Sequence, residues 1–192
     1  MTALPAPPPL RPRTTVIAGL FVAAASFVGV IGLLALYLAR RADALAAGRD
    51  WIPEGSLELG PPGMVLWTLI MSVLTVHWAV QAMGRDDRVH SHLALALTGL
   101  FGAAVLNQMW FIYTDVGYAI DGGEAQLFFY VLTGAFVVMQ IAALVAVAVT
   151  LLRSLAGNFS ARERDALWAT AIFWDVTVFV YGLIWYAVFV TK

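Results

Sequence analysis

Two ionisable side chains stand inside runs that are otherwise apolar: His77, in Thr75-Val76-His77-Trp78-Ala79, and Asp175, in Phe173-Trp174-Asp175-Val176-Thr177. An imidazole changes charge near neutral pH, and a carboxylate beside it can favour either state. Gln140, in Val138-Met139-Gln140-Ile141, adds an uncharged amide able to bond across a helix interface. An ionisable side chain within a spanning helix costs roughly 2.5 to 3.5 kcal/mol on insertion scales, so each needs a reason. Two reasons compete. One is a satisfied contact that fixes how helices or subunits meet, with His77 and Asp175 as partners. The other is a site of proton transfer or lipid-headgroup binding.

Other chemistry is narrowed by what is absent. The chain has no cysteine, which removes disulfides, thiolate catalysis and Cys-ligated metal or iron–sulfur sites. Of its three histidines, His90 and His92 flank the start of an apolar run beside Arg88 and belong at the interface, so His77 is the single deep one. Bis-histidine haem ligation within this chain is thereby excluded, and the expectation is that it binds no cofactor or metal of its own. No nucleophile–base or metal constellation marks an intramembrane enzyme. With a formal net charge of -1 there is no basic surface for nucleic acid.

The elements that must position these residues are five apolar stretches: Thr14 to Ala39, Gly63 to Gly84, Ser91 to Tyr113, Ala125 to Leu152 and Leu167 to Val190. Each reaches the roughly 20 residues that carry an α-helix through a hydrocarbon core. Backbone amides in lipid must be satisfied within the segment, and the strict alternation of a membrane β-barrel is missing. The fold class is therefore all-α, an integral membrane bundle of five transmembrane helices. Residues 1–13, rich in Pro and Ala, are expected to be a disordered lead-in, and residues 14–192 a single domain without internal repeat. Consecutive helices joined by short loops are expected to pack as antiparallel neighbours.

Orientation follows from the basic residues of the loops. One face collects Arg11, Arg13, Arg85, Arg88, Arg153, Arg162 and Arg164; the other collects Arg40, Arg41, Arg49 and Lys192. The excess places the N-terminus inside and the C-terminus outside. Arg85 and Arg88 can offer guanidinium donors to the phosphates of lipid headgroups. Within the longest loop, Arg40 to Pro62, Trp51 is expected at headgroup level and Pro61-Pro62 as helix breakers. Ser160, three residues before Glu163, is expected to cap the last helix. Gly29 and Gly32, like Gly99 and Gly102, are small enough for close helix approach. The aromatic last helix offers Phe173, Trp174, Tyr181 and Trp185 as candidates for a surface facing a partner protein or ordered lipid.

The order of local patterns from about Gly32 to Lys192 resembles the third subunit of haem-copper terminal oxidases, cytochrome c oxidase subunit III, in its five-helix form. Gly32-Leu33-Leu34-Ala35-Leu36-Tyr37-Leu38-Ala39-Arg40-Arg41-Ala42 closes the first helix, and Leu106-Asn107-Gln108-Met109-Trp110 lies near the end of the third. Phe128-Phe129-Tyr130-Val131-Leu132-Thr133-Gly134 opens the fourth, and Phe173-Trp174 precedes the aromatic last turns. Three family positions differ: Ser26 falls near the usual glutamate, Ala135 to Gln140 replace a segment with two histidines, and Asp175 stands where the family has histidine.

The resemblance implies an accessory subunit without a catalytic centre, packed against the catalytic subunit that carries haem and copper. In the family that role stabilises the catalytic subunit in aerobic respiration and proton pumping, holds phospholipid, and influences oxygen access or proton uptake. The corresponding subunit of a quinol oxidase or nitric oxide reductase is the nearest alternative. A stand-alone transporter organised around His77 and Asp175 is the alternative from another class. A bacterial plasma membrane is the expected location.

Overall fold

The computed structural model describes residues 13–52 and 57–191; most of the expected lead-in, Pro53, Gly55 and Lys192 lie outside the described residues. Five helices account for nearly all the rest: α1 (Thr14–Ala46), α2 (Gly60–Gly84), α3 (Arg88–Asp115), α4 (Glu124–Leu155) and α5 (Asp165–Ile184), which continues as a π-helical segment, Trp185–Val190. All five are long and apolar enough to cross a membrane, and the protein is integral to one.

The helix ends extend beyond the apolar stretches for local reasons. Arg40, Arg41 and Asp43 lengthen α1 to Ala46, because arginine and alanine favour helix and long charged side chains reach out of the apolar layer. Pro61 and Pro62 open α2 instead of breaking it, since the first turn needs no proline N–H. Asp87 caps α3, accepting the His90 N–H at 3.2 Å. That backbone donor holds the Asp87 carboxyl below its usual range. Ser160 does accept the Glu163 N–H, at 3.2 Å, but α5 begins only at Asp165, so the bond closes a turn ahead of the helix.

Helix pairing departs from simple succession. The tightest pair is α2 with α3, and α4 packs on both α3 and α5, whereas α1 leaves α2 almost untouched and lies on α5 and α4. The intervening loop is long enough to cross the bundle. α1 and α5 run parallel: Gly19 meets Ala169 near one end, the Phe27 and Phe179 rings lie 6.0 Å apart, and Arg41 reaches Thr191 at the other. α2 and α5 run antiparallel, with Tyr181 donating to the Pro62 carbonyl at 2.9 Å and the Arg164 guanidinium reaching the Val80 carbonyl and lying over Gly84. Thus α5 is the central helix, bordered by α1, α4 and α2.

The interior divides into two packed clusters. One, at the end holding Arg41 and Thr191, gathers Tyr37, Trp51, Leu69, Phe129, Phe136, Tyr181 and Phe189. The other, toward the arginine-rich end, gathers Val76, Met83, Leu95, Val147, Leu167 and Trp174. Trp51 of the long loop belongs to the first cluster, its side chain packing edge-on to Tyr37 at 5.7 Å. Gly29 and Gly32 do not mediate close packing, because a Cβ built at either has nothing within 4 Å. Gly19 and Gly102 do, their built Cβ atoms falling 2.7 Å from Ala169 and Trp174 atoms.

Candidate functional site

His77 on α2 and Asp175 on α5 face each other across the antiparallel pair, with Nε2 and Oδ2 2.9 Å apart. The pairing follows from the register that the neighbouring bonds set. Ser72, buried one turn away on α2, donates to the Leu69 carbonyl and accepts the Trp174 indole N–H at 2.8 Å. Trp168 lies edge-on to the imidazole at 6.4 Å between ring centres. Both members of the pair keep about a third of their side-chain surface open, 37% for His77 and 36% for Asp175. The second carboxylate oxygen, Oδ1, is buried without a hydrogen-bond partner. Nδ1 of His77 also makes no hydrogen bond among the described residues.

The arrangement can hold one proton between imidazole and carboxylate, or an ion pair, within a membrane-spanning layer. It can also lock the register of α2 against α5. Gln140 is not part of it. Its amide is fully buried beside Gly102, and neither Oε1 nor Nε2 has a partner, so the expected interhelical amide bond is not formed. Gln108 does make one, donating to Thr68 at 3.2 Å.

The aromatic surface expected on the last helix is largely interior. Trp174 and Tyr181 are 1% and 0% exposed and cannot meet a partner; the central place of α5 turns them inward. Phe173 and Trp185 are half-buried. The aromatics that α5 does present outward are Phe179 and Tyr186, 58% and 59% exposed. Their spacing from Asp175, four and eleven residues on, could have shown that these three share a face.

Arg85 and Arg88 are both exposed in or beside the α2–α3 turn and make no ion pair among the described residues. Between them Asp86 adopts a left-handed backbone, φ 57°, and accepts the Ala161 N–H at 2.7 Å, tying this turn to the α4–α5 loop. His90 is exposed beside Asp87, at 2.7 Å, while His92 is half-buried and bonds to Ser154 at 2.9 Å. No group of three or more His, Asp or Glu among the described residues could hold a metal ion.

Hydrogen bonds between hydroxyls supply the polar ties that hydropathy hides: Thr75 to Thr98 and Thr150 to Thr170, both at 2.8 Å. Serine and threonine interrupt an apolar run too little to be noticed, and helical spacing gives their only signal. Two open clefts of about 250 and 290 Å³ lie at the end holding Arg41 and Thr191, one lined by Arg49, Trp51 and Glu124 and the other by Pro62 and Asp115. Neither reaches the His77–Asp175 pair. No protein-family model matches the chain.

Proposed function

We propose that this chain is a non-catalytic accessory subunit of a haem-copper terminal oxidase, similar to cytochrome c oxidase subunit III and seated in a bacterial plasma membrane. The observation that carries the reading is the order and spacing of the four motif segments along five spanning helices. Tyr37 and Phe129 of those segments are core residues, and Trp174 is the buried partner of Ser72, so the likeness includes positions that shape the bundle. Haem and copper belong to the partner subunits. With its arginine-rich end inside, the N-terminus is cytoplasmic and the C-terminus external. The chain stabilises the catalytic subunit, holds phospholipid and influences oxygen access or proton uptake. It does not conduct electrons.

Purification from native membranes in mild detergent, with haem spectra and subunit identification, tests this. The expected result is co-elution with a haem-copper catalytic subunit, and loss of all haem from the chain once that partner is stripped away. Recovery only as a monomer or homo-oligomer would overturn the reading in favour of a stand-alone transporter built around the pair. A haem-bearing partner that reduces nitric oxide, or that takes electrons from quinol, would assign the chain to the corresponding reductase or quinol oxidase.

A further inference from the structure

Gln140 on α4 and Thr177 on α5 stand opposite one another where the two apolar clusters meet. α4 and α5 run antiparallel, with the Phe136 and Tyr181 ring centres 4.6 Å apart at one level and the Thr150 and Thr170 hydroxyls 2.8 Å apart at another. One helical turn from the Phe136–Tyr181 contact, in the direction of the threonine pair, the two facing positions are Gln140 and Thr177. Phe136 and Tyr181 belong to the first cluster, whereas Ala143 and Trp174, the next inward residues, belong to the second. Both polar side chains are fully buried, closed to solvent and to lipid alike.

No direct bond joins them. Oε1 and Nε2 of Gln140 have no hydrogen-bond partner among the described residues. Thr177 gives its one O–H to the Phe173 carbonyl at 2.9 Å, and its oxygen keeps acceptor capacity. The amide is confined on its other side by α3, since a Cβ built at Gly102 would lie 3.1 Å from Nε2. A carboxamide with neither its donors nor its acceptor satisfied is costly to bury, and no lipid reaches this one to share the cost. Facing polar groups that fall beyond hydrogen-bond reach of each other are the usual setting for a bridging molecule.

The chemistry of the two groups selects that molecule. Thr177 can only accept, so the bridge must donate to it, and it must then also pair with the carboxamide. It must be neutral, because no charged side chain faces this level of the seam, and small enough to lie between two packed helices. Water meets all three demands; a nonpolar gas has no donor. We infer that an internal water molecule bridges Gln140 and Thr177, tying α4 to α5 at the junction of the clusters. Buried waters characteristically join groups of this kind, with about three hydrogen bonds each. The site belongs to the bundle itself and stands whichever complex the chain joins.

Solid-state NMR of the full chain in lipid bilayers, isotope-labelled at the glutamine side-chain nitrogens, tests the assignment. The chain has four glutamines, and Gln140→Met identifies the Gln140 signal by its loss. In the native chain that amide should receive magnetisation from water although its residue is closed to solvent. A Gln140 amide that receives none would overturn the proposal. Thr177→Val nearly keeps the side-chain shape and removes the oxygen; it should abolish the transfer, while Thr177→Ser should retain it. Transfer undiminished in Thr177→Val would overturn the bridge. Thermal unfolding in detergent is the second readout. Gln140→Met and Thr177→Val should each lower the melting temperature, and the double variant should lose less than the two single losses together, because the single changes remove the same bridge. A Gln140→Met chain that melts above the native one, with Thr177→Val unchanged, would show an amide without a bound water and overturn the inference.

Discussion

Asp175 binds His77 through one carboxylate oxygen and leaves the other buried without a partner, so its two oxygens make different demands on a substitution. Asparagine keeps the shape and one acceptor, whereas leucine removes both and orphans His77. If the pair only sets register, Asp175→Asn should assemble and support near-normal oxygen consumption in the complex. Asp175→Leu should weaken the bundle or its assembly by about 1 to 3 kcal/mol, the usual cost of an unsatisfied buried group. The neighbouring Trp174–Ser72 bond and the closeness of His77 favour the register role. A well-assembled Asp175→Asn complex with strongly reduced turnover, or a displaced pH profile, would identify a proton carrier instead. The pair itself was legible in the sequence, because both residues interrupt long apolar runs at similar distances from the same membrane face. The unpartnered amide of Gln140 was not, since its surroundings depend on which helices adjoin α4.

Close helix contact in this bundle depends on particular glycines, and the contrast between two of them can be measured. A Cβ at Gly102 would sit 2.7 Å from Trp174 Cη2 and 3.1 Å from Gln140 Nε2, all inside the packed interior. Gly102→Ala should therefore cost about 1 to 3 kcal/mol by overpacking and lower the melting temperature in detergent by several degrees. Gly29→Ala meets nothing within 4 Å and should leave the transition unchanged. Equal effects from the two would contradict the observed packing. From sequence alone these glycines looked alike, as both lie in small-residue runs within spanning helices. Hydropathy made the number and approximate extent of the helices legible because lipid imposes length and apolarity on each separately. It could not reveal which helices adjoin, and so placed α1 beside α2 and made the last helix peripheral. The burial of Trp174 and Tyr181 follows from the central position of α5, a property of five helices together.

At the scale of the molecule, charge divides the two ends of the bundle. Among the described residues, Arg13, Arg85, Arg88, Arg153, Arg162 and Arg164 mark one end, against Arg40, Arg41 and Arg49 at the other. If the first end faces the cytoplasm, a cysteine replacing Asp121, exposed between α3 and α4, should react with a membrane-impermeant maleimide in intact cells stripped of their outer barrier. A cysteine replacing Asn158, exposed between α4 and α5, should react only after lysis. The native chain has no cysteine, so each label reports one position; the opposite pattern would invert the topology. The same charge division bears on lipid. Asp86 is engaged by Ala161 and Asp87 by His90, and the side chains of Arg85 and Arg88 are exposed; if this end lies at an anionic membrane surface, both can meet its headgroups. A basic side chain at an anionic membrane surface contributes about 1 kcal/mol. Replacing both arginines with glutamine should therefore reduce retention of anionic phospholipid roughly 30-fold, read by native mass spectrometry of the complex. Replacing Arg40 and Arg49 should leave that retention unchanged. Lipid retained equally by both double variants, or ordered only at the end away from Arg85 and Arg88, would refute their assignment as headgroup contacts.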